Sequence, residues 1–228
     1  MSGTKKTINF IISFFATILF LSIISNFLSP LLFNLNNLVY EIISLSIYTL
    51  SFLFFMFMQN LLRHFKNSKI IEDNKEFLSL KTSKYSITEK LWIHVFILII
   101  YFLPVLRTQS FNSFSLTRLV MFIISITLIE LLIRYSDSTM QVHFLRKGIV
   151  ILGTDIRIGA PIMYGKRIYN DSGYYSYNDI KEYFIFPDRV ELYLIHDQGK
   201  IIAKVNNENK NQLKGLFQQQ KIPMKRFR

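Results

Sequence analysis

Long apolar blocks separated by short polar breaks fill the first 135 residues of the chain. A helix needs about 20 apolar residues to cross a hydrocarbon core of about 30 Å. Only helices satisfy every backbone group within one segment in lipid, so the many β-branched and aromatic residues do not argue for strands here. The pattern predicts a transmembrane domain over residues 1–135, with helices at about residues 8–33, 38–62, 87–106 and 116–133.

The first apolar block has the basic flank of a signal peptide, Lys5 and Lys6. It is longer than the apolar region of a typical signal peptide, and no small-residue cleavage site follows it. We therefore interpret it as a retained transmembrane helix.

Lys and Arg are unevenly distributed between the blocks. The break between the first two blocks has none, whereas residues 63–90 contain seven. Cytoplasmic flanks of membrane helices are enriched in Lys and Arg. The distribution predicts a multi-pass protein of the cell membrane, the cytoplasmic membrane, with both termini in the cytoplasm. Residues 63–86 form the cytoplasmic loop, which we interpret as a solvated connector; a short amphipathic segment lying on the membrane is the alternative.

Ionisable residues within the predicted spans are few, and each is a candidate functional group by default. Glu130 lies one turn before Arg134, so the two share a helix face and are predicted to form an intramembrane ion pair near the cytoplasmic surface. Glu41 and His94 lie near the ends of their spans. None of these groups lies at the predicted bilayer centre, which disfavours a transporter.

From about residue 140 the hydrophobic period becomes that of strands. The segment "QVHFLRKGIVIL" contains two short β-type runs. Turn residues after Phe186 and after Ile195 divide residues 183–205 into an antiparallel three-stranded meander. A helix follows, with Asn206 or Asn207 as its N-cap. Its apolar stripe consists of Leu213, Leu216 and Phe217. Residues 140–228 therefore predict a small α+β domain.

The aromatic segment at residues 170–186, "NDSGYYSYNDIKEYFIF", lies where this domain begins its meander. Most of its rings are predicted to belong to the core. Tyr174 and Tyr175, at the start of a strand, are candidates for exposed rings that touch a partner or the membrane surface. Alternation in the next strand places Ile180, Phe184 and Phe186 on one face and Tyr183 and Ile185 on the other.

The runs "KGIVIL", "YSYNDIKEYFIF" and "VELYLI", followed by an amphipathic helix, resemble the bacterial pleckstrin-homology-like (PH-like) domains of membrane proteins from Gram-positive bacteria. The resemblance covers about residues 140–222, with Tyr177 where a Trp is commoner. It implies a half-open barrel of antiparallel strands closed by a C-terminal helix, and it implies no catalysis. It transfers no binding residue to this chain.

Composition and motifs point away from an enzyme. There is no Cys, the four His are scattered, and no phosphate loop, hydrolase motif or zinc motif is present. We therefore expect no catalytic residue, no metal and no cofactor.

The chain has a formal net charge of +12, and part of it lies in a basic tail. This tail is a candidate for contact with an anionic membrane surface through Lys221, Lys225, Arg226 and Arg228. The alternative for this tail is a solubilising end. No basic helical face accompanies the charge, so nucleic acid is not an expected partner.

These observations predict a non-enzymatic integral membrane protein whose partners are the lipid bilayer and a membrane or secreted protein. The composition, rich in Phe, Ile, Asn, Lys and Tyr, is that of a low-GC bacterium. The resemblance implies an immunity protein that protects its own cell against a pore-forming bacteriocin or a secreted toxin. A scaffold or regulatory subunit of a membrane complex is the alternative, and a small transporter or channel is the third.

Overall fold

The computed structural model describes residues 3–32, 35–108, 115–158, 170–195 and 199–225. Within these ranges the helices are α1 (Gly3–Leu32), α2 (Asn37–Glu72), α3 (Ile87–Thr108), α4 (Leu116–Thr139) and α5 (Asn207–Gln219). The strands are β1 (Glu76–Lys81), β2 (Gln141–Leu145), β3 (Gly148–Leu152), β4 (Gly173–Ser176), β5 (Ile180–Ile185), β6 (Arg189–Leu194) and β7 (Lys200–Lys204).

The first four helices are long and apolar enough to cross a membrane, as the sequence predicts. The candidate spans are Thr7–Leu32, Asn37–Glu72, Ile87–Leu106 and Leu116–Thr139. Their exposed surfaces carry large apolar side chains, which is the surface expected of helices that face lipid rather than water. The chain therefore has the layout of a multi-pass membrane protein.

Helices α2, α3 and α4 share one apolar core, in which Tyr101, Ile129 and Ile133 have no exposed surface. Helix α1 packs on α2, where the rings of Phe20 and Phe54 stack with centroids 4.1 Å apart. The bundle is therefore a three-helix core with a fourth helix on its side.

Three hydroxyl groups meet inside this core. Thr49 Oγ1 lies 2.6 Å from Tyr101 Oη and 2.8 Å from Ser125 Oγ, and the last two atoms are 2.7 Å apart. Each residue comes from a different helix. Hydroxyl groups inside membrane bundles hydrogen-bond between helices because lipid offers them no partner. The triad therefore connects α2, α3 and α4 in the middle of the bundle.

Helix α2 continues well past its predicted end. Its 36 residues make a helix about 54 Å long, against a hydrocarbon core of about 30 Å. Its last turns pack on β3 and β4. Strand β1 follows and pairs antiparallel with β2, so that Lys81 lies opposite Gln141. The structure thus differs from the predicted solvated connector: residues 63–86 supply a helix extension and an edge strand.

The β domain, which we define as β1–β7 with α5, consists of two antiparallel sheets around one core. One sheet has the order β1-β2-β3-β4 and the other β5-β6-β7. A bridge between Thr82 and Ala203 and a hydrogen bond from Ser83 N to Ile202 O bring one edge of each sheet together. The three-stranded meander is confirmed. Helix α5 closes the core with the predicted stripe, Leu213, Leu216 and Phe217, all buried.

The faces of β5 differ from simple alternation. Ile180 and Tyr183 are both buried in the core, although they are three residues apart, and Phe184 is only half-buried. The pairing with β6 shifts between Ile180 and Glu182, which marks a β-bulge. An extra residue at a bulge reverses the face of everything after it. The predicted face containing Phe184 is therefore not the core face.

The membership of β1 in the core predicts different costs for two neighbouring substitutions. Leu80 is 6% exposed and Phe77 is 53% exposed. We expect Leu80→Ala to lower the free energy of unfolding by about 2–5 kcal/mol, because it removes buried methyl groups. Phe77→Ala should change it by less than about 0.5 kcal/mol. Chemical denaturation of both variants in mild detergent measures the difference. Equally small changes in the free energy of unfolding would contradict a core strand and indicate that residues 76–81 are a solvated connector.

Candidate functional site

The segment that follows β3 enters the end of the helix bundle nearest the β domain. Ile156 and Ile158, at 6% and 8% exposure, belong to the apolar core of the helices. The residues that alternate with them, Asp155 and Arg157, are 0% and 4% exposed. Both faces of this extended segment are therefore buried, one among apolar side chains and one among charges.

The Asp155 carboxylate is fully enclosed by donors. Its Oδ2 accepts from Arg63 Nη1 at 3.0 Å and from Ser172 N at 2.7 Å, and its Oδ1 accepts from Arg157 Nη1 at 3.2 Å. Its own backbone N–H donates to Asn60 Oδ1 at 2.8 Å. Arg63 and Asn60 come from α2, whereas Ser172 immediately precedes β4. One carboxylate thus connects the long helix to the β domain.

Arg157 extends these contacts to α3. Its Nε lies 3.1 Å from Glu89 Oε1, and its guanidinium carbon lies 3.8 Å from the centroid of the Tyr85 ring. The carbonyl of Arg157 accepts from Arg63 Nη2 at 2.7 Å. We call the four charged residues Arg63, Glu89, Asp155 and Arg157 the ionic junction. It contains two cations and two anions, each paired with the opposite charge.

Tyr85 adds α4 to the same site. Its hydroxyl lies 2.8 Å from Ser136 Oγ and accepts from Ile156 N at 3.2 Å, and its backbone N donates to Asp137 Oδ1 at 2.9 Å. Ser136 also donates to Thr154 O. The segment after β3 is therefore held by side chains or backbone groups associated with α2, α3 and α4.

Electrostatic interactions keep Asp155 and Arg157 of the ionic junction charged. Burial by itself opposes ionisation of Asp155, but Arg63 and Arg157 outweigh burial and hold the pKa of that carboxyl below its usual range. Burial also opposes the charge on Arg157, yet Tyr85, Asp155 and Glu89 raise its pKa above the usual value. Burial raises the pKa of Tyr85. These pKa shifts favour an ionised Asp155, a charged Arg157 and a neutral Tyr85 hydroxyl at neutral pH.

A buried ionic cluster of this kind defines a geometry more than it adds stability. Removing an ion from water costs several kcal/mol, and the attraction between partners roughly offsets that cost only when the geometry is good. Removing one partner leaves a buried uncompensated charge, which is strongly destabilising. The ionic junction therefore disfavours every orientation of the β domain in which its charges separate. Among the described residues, no group of three or more His, Asp or Glu could hold a metal ion.

Glu130 has different neighbours from the predicted one. Lys90 Nζ lies 3.6 Å from Glu130 Oε2, and His94 Nε2 lies 3.4 Å from Oε1. Arg134 is exposed and makes no ion pair with Glu130 in the part of the chain that the structure describes. The carboxylate points across to α3 because α3 and α4 pack side by side. The ion pair predicted along one helix is instead an interhelical contact.

The two candidate exposed tyrosines lie in the β domain wall. Tyr175 is 5% exposed and belongs to the core, which corrects the prediction for that residue. Its position in β4, opposite Ile149, turns its ring inward. Tyr174 is half-buried, and its hydroxyl donates to Lys147 O at 2.9 Å. Its ring covers Gly148, where a Cβ atom would lie 2.7 Å from the ring.

The basic tail is partly held on the β domain. Lys221 is exposed and has a positive φ of 56° at the end of α5. Lys225 lies against Glu182 and Tyr193 of the β5-β6-β7 sheet. Arg226 and Arg228 lie outside the described residues, so the predicted membrane contact of the whole tail stays a prediction.

The ionic junction has no local signature in the sequence from which it could be predicted. Arg63 is one of the seven basic residues at positions 63–90 that indicate the cytoplasmic side, and that distribution gives it no further role. The available signal is the alternation of charged and apolar residues at positions 155–158, shortly after the apolar strand β3. It could not identify the partner, because Arg63 on α2 lies 92 residues from Asp155 in sequence.

Comparison with protein-family models, with curated proteins and with solved structures gives no match. The fold and the site define the chain only as a class: four candidate membrane-spanning helices joined through a buried ionic junction to a small antiparallel β domain.

The enclosure of Asp155 predicts a large effect of a nearly isosteric substitution. We expect Asp155→Asn to lower the free energy of unfolding by about 3–5 kcal/mol, because Arg63 and Arg157 lose their shared counter-charge. Asp188→Asn is the matched control, since that side chain is 73% exposed, and it should stay within about 0.5 kcal/mol of the unmodified protein. Chemical denaturation in mild detergent measures both.

Acid provides an independent check on the same carboxylate. A pKa lower in the folded than in the unfolded protein adds stability above the unfolded value of about 3.9, and this stability is lost as pH falls through the folded value. The difference between the unmodified protein and Asp155→Asn should therefore be constant from about pH 5 to 8 and shrink below about pH 4. A difference that is unchanged at pH 3 would contradict the charged assignment.

Proposed function

We propose that this chain is a non-enzymatic integral membrane protein whose PH-like β domain presents a protein-interaction surface on the cytoplasmic side of the cell membrane. The observation that carries the proposal is the ionic junction, which together with Tyr85 connects the segment between β3 and β4 to three helices at once. The distribution of Lys and Arg supports a cytoplasmic location for both termini.

The arrangement of strands supports a PH-like domain. The resemblance implies a half-open barrel closed by a helix, and the β domain has a four-stranded and a three-stranded antiparallel sheet with α5 across the core. The first strand of this barrel would be β1, which is separated from the others in sequence by α3 and α4. A domain interrupted in this way is tied to the bundle by chain connections as well as by the ionic junction.

A fixed orientation is useful to a protein that recognises a partner at the membrane. A domain on a flexible tether samples many heights and angles, and binding must then order it. Here the orientation of the β domain is already fixed before a partner binds. Asp155 and Arg157 are buried, so separating their charges would leave both without a partner and without solvent. Pre-organisation of this kind raises affinity without adding contacts. The ionic junction would also couple the binding of a partner on the β domain to the positions of the helices.

Site-specific photo-crosslinking in cell membranes tests the proposal. We expect a crosslinker at exposed β-domain positions, Phe77 or Lys204, to give a discrete protein adduct. The adduct should weaken severalfold in the Asp155→Asn background and persist with Asp188→Asn. A crosslinker at Phe27, 77% exposed on α1, is the control for contacts in lipid. Adducts from Phe27 with none from the β domain would contradict an interaction role of the domain.

Within this function, the sharper proposal is self-protection against a pore-forming bacteriocin or secreted toxin. It rests on the family resemblance alone. Expression in a sensitive strain should raise the concentration of toxin from the neighbouring operon needed for killing, and Asp155→Asn should reduce that protection in proportion to its loss of folded protein. Unchanged killing at matched expression would contradict self-protection. The scaffold or regulatory subunit of a membrane complex would then be the remaining proposal.

A transport function has less support from the interior of the bundle. The hydroxyl triad and the ionic junction are separated by an apolar layer, with Phe52, Met56, Ile97, Ile129 and Ile133 all buried in one core. Transport pathways bring polar or charged groups into such a layer. In the described part of the bundle, the hydroxyl triad lies on one side of this layer and the ionic junction on the other, and the contact of Glu130 with Lys90 and His94 is partly exposed between α3 and α4.

A further inference from the structure

The edge of β5 that does not pair with β6 is covered by the chain's own C-terminal segment. Strand β5 pairs with β6 on one side only. On its other side, Tyr183 N donates to Pro223 O at 3.1 Å, and Lys225 N donates to Tyr183 O at 2.8 Å. These two bonds form a parallel bridge between Tyr183 and Met224. Residues 223–225 therefore act as a short extra strand on this sheet.

The end of α5 directs the chain onto that edge. Lys221 adopts a left-handed conformation, Ile222 N donates to Phe217 O at 2.9 Å, and Lys221 N donates to Gln218 O at 3.0 Å. This pair of bonds is the Schellman motif that ends many helices. The turn places Ile222 in the core at 6% exposure, so the chain is anchored immediately before the edge contact.

Lys225 occupies a site for a cation on the outer face of the sheet. Its Nζ lies 3.6 Å from Glu182 Oε1 and 3.6 Å from the centroid of the Tyr193 ring. The lysine borders a surface groove of about 370 Å³ that also contains Lys181, Leu194, Gly199 and Lys200. Met224, between the two bonded residues, is 49% exposed. The contact thus combines backbone pairing with one side-chain site.

An edge strand presents a row of backbone donors and acceptors to which another extended segment can add. We propose that the β5 edge is a docking site for an extended segment of a partner protein that carries a Lys or Arg, and that residues 223–225 occupy it in cis until the partner displaces them. The cis contact of residues 223–225 includes two backbone bonds, one partly exposed ion pair and one cation–π contact, each a weak contribution at an exposed position. The anchor at Ile222 is unaffected by displacement.

This inference gives the interaction domain of the proposed function a specific surface, and its test does not depend on the ionic junction. The probe is a fluorescent synthetic peptide with the sequence of residues 223–228, "PMKRFR", added to the protein in mild detergent. The chain truncated after Ile222 should bind it saturably, at least about tenfold tighter than the full-length chain does. A peptide with Lys225→Glu is the control and should bind several times more weakly.

A full-length variant keeps the test independent of truncation. Lys225→Pro removes the N–H that donates to Tyr183 O and should open the edge, so hydrogen exchange at the Tyr183 amide should become at least about tenfold faster. Absence of saturable peptide binding to the folded truncated chain, or an unchanged Tyr183 exchange rate in Lys225→Pro, would overturn the proposal. A dimer of full-length chains with exchanged tails would also overturn it, because the occupant would then be a second copy.

Discussion

The carboxylate of Asp155, buried between Arg63 and Arg157, is the interaction on which the arrangement of this protein depends. Its charge has no exposed surface and is surrounded by donors from α2, from the segment after β3 and from Ser172 just before β4. A buried charge is tolerated only while its partners stay in place. The relative position of the two parts of the molecule is therefore constrained by electrostatics, in a region where apolar contacts alone would allow sliding.

The rest of the architecture makes this constraint possible. The extension of α2 carries Arg63 past the apolar part of the bundle, and the same helix continues to the sheet of β3 and β4. Strand β1 then returns the chain to α3, whose first turn supplies Glu89. Isoleucines on the other face of the segment after β3 fill the end of the helix core. Apolar and ionic contacts therefore act on opposite faces of one short segment.

Local sequence patterns predicted the elements well where their signals are local. The four spans follow from the length of apolar runs, and the meander and the cap of α5 at Asn206 follow from turn and capping chemistry over a few residues. Strand β1 could not be found in this way, because its pairing of Lys81 with Gln141 crosses two helices. The ionic junction was missed for the same reason: whether an Asp is buried depends on partners that are remote in sequence. The bulge in β5 was missed because one extra residue reverses the pattern after it.

The constraint can be measured directly, since the chain has no Cys and two introduced cysteines can be spin-labelled cleanly. Phe57→Cys on the exposed face of α2 and Lys204→Cys on β7 place one label on each part of the molecule. Double electron–electron resonance in lipid nanodiscs reports the distribution of distances between the labels. A rigid ionic junction predicts one narrow distribution, which broadens in the Asp155→Asn background and not with Asp188→Asn. A broad distribution, or one with several maxima, in the chain with an intact ionic junction would contradict a fixed position of the β domain relative to the helices.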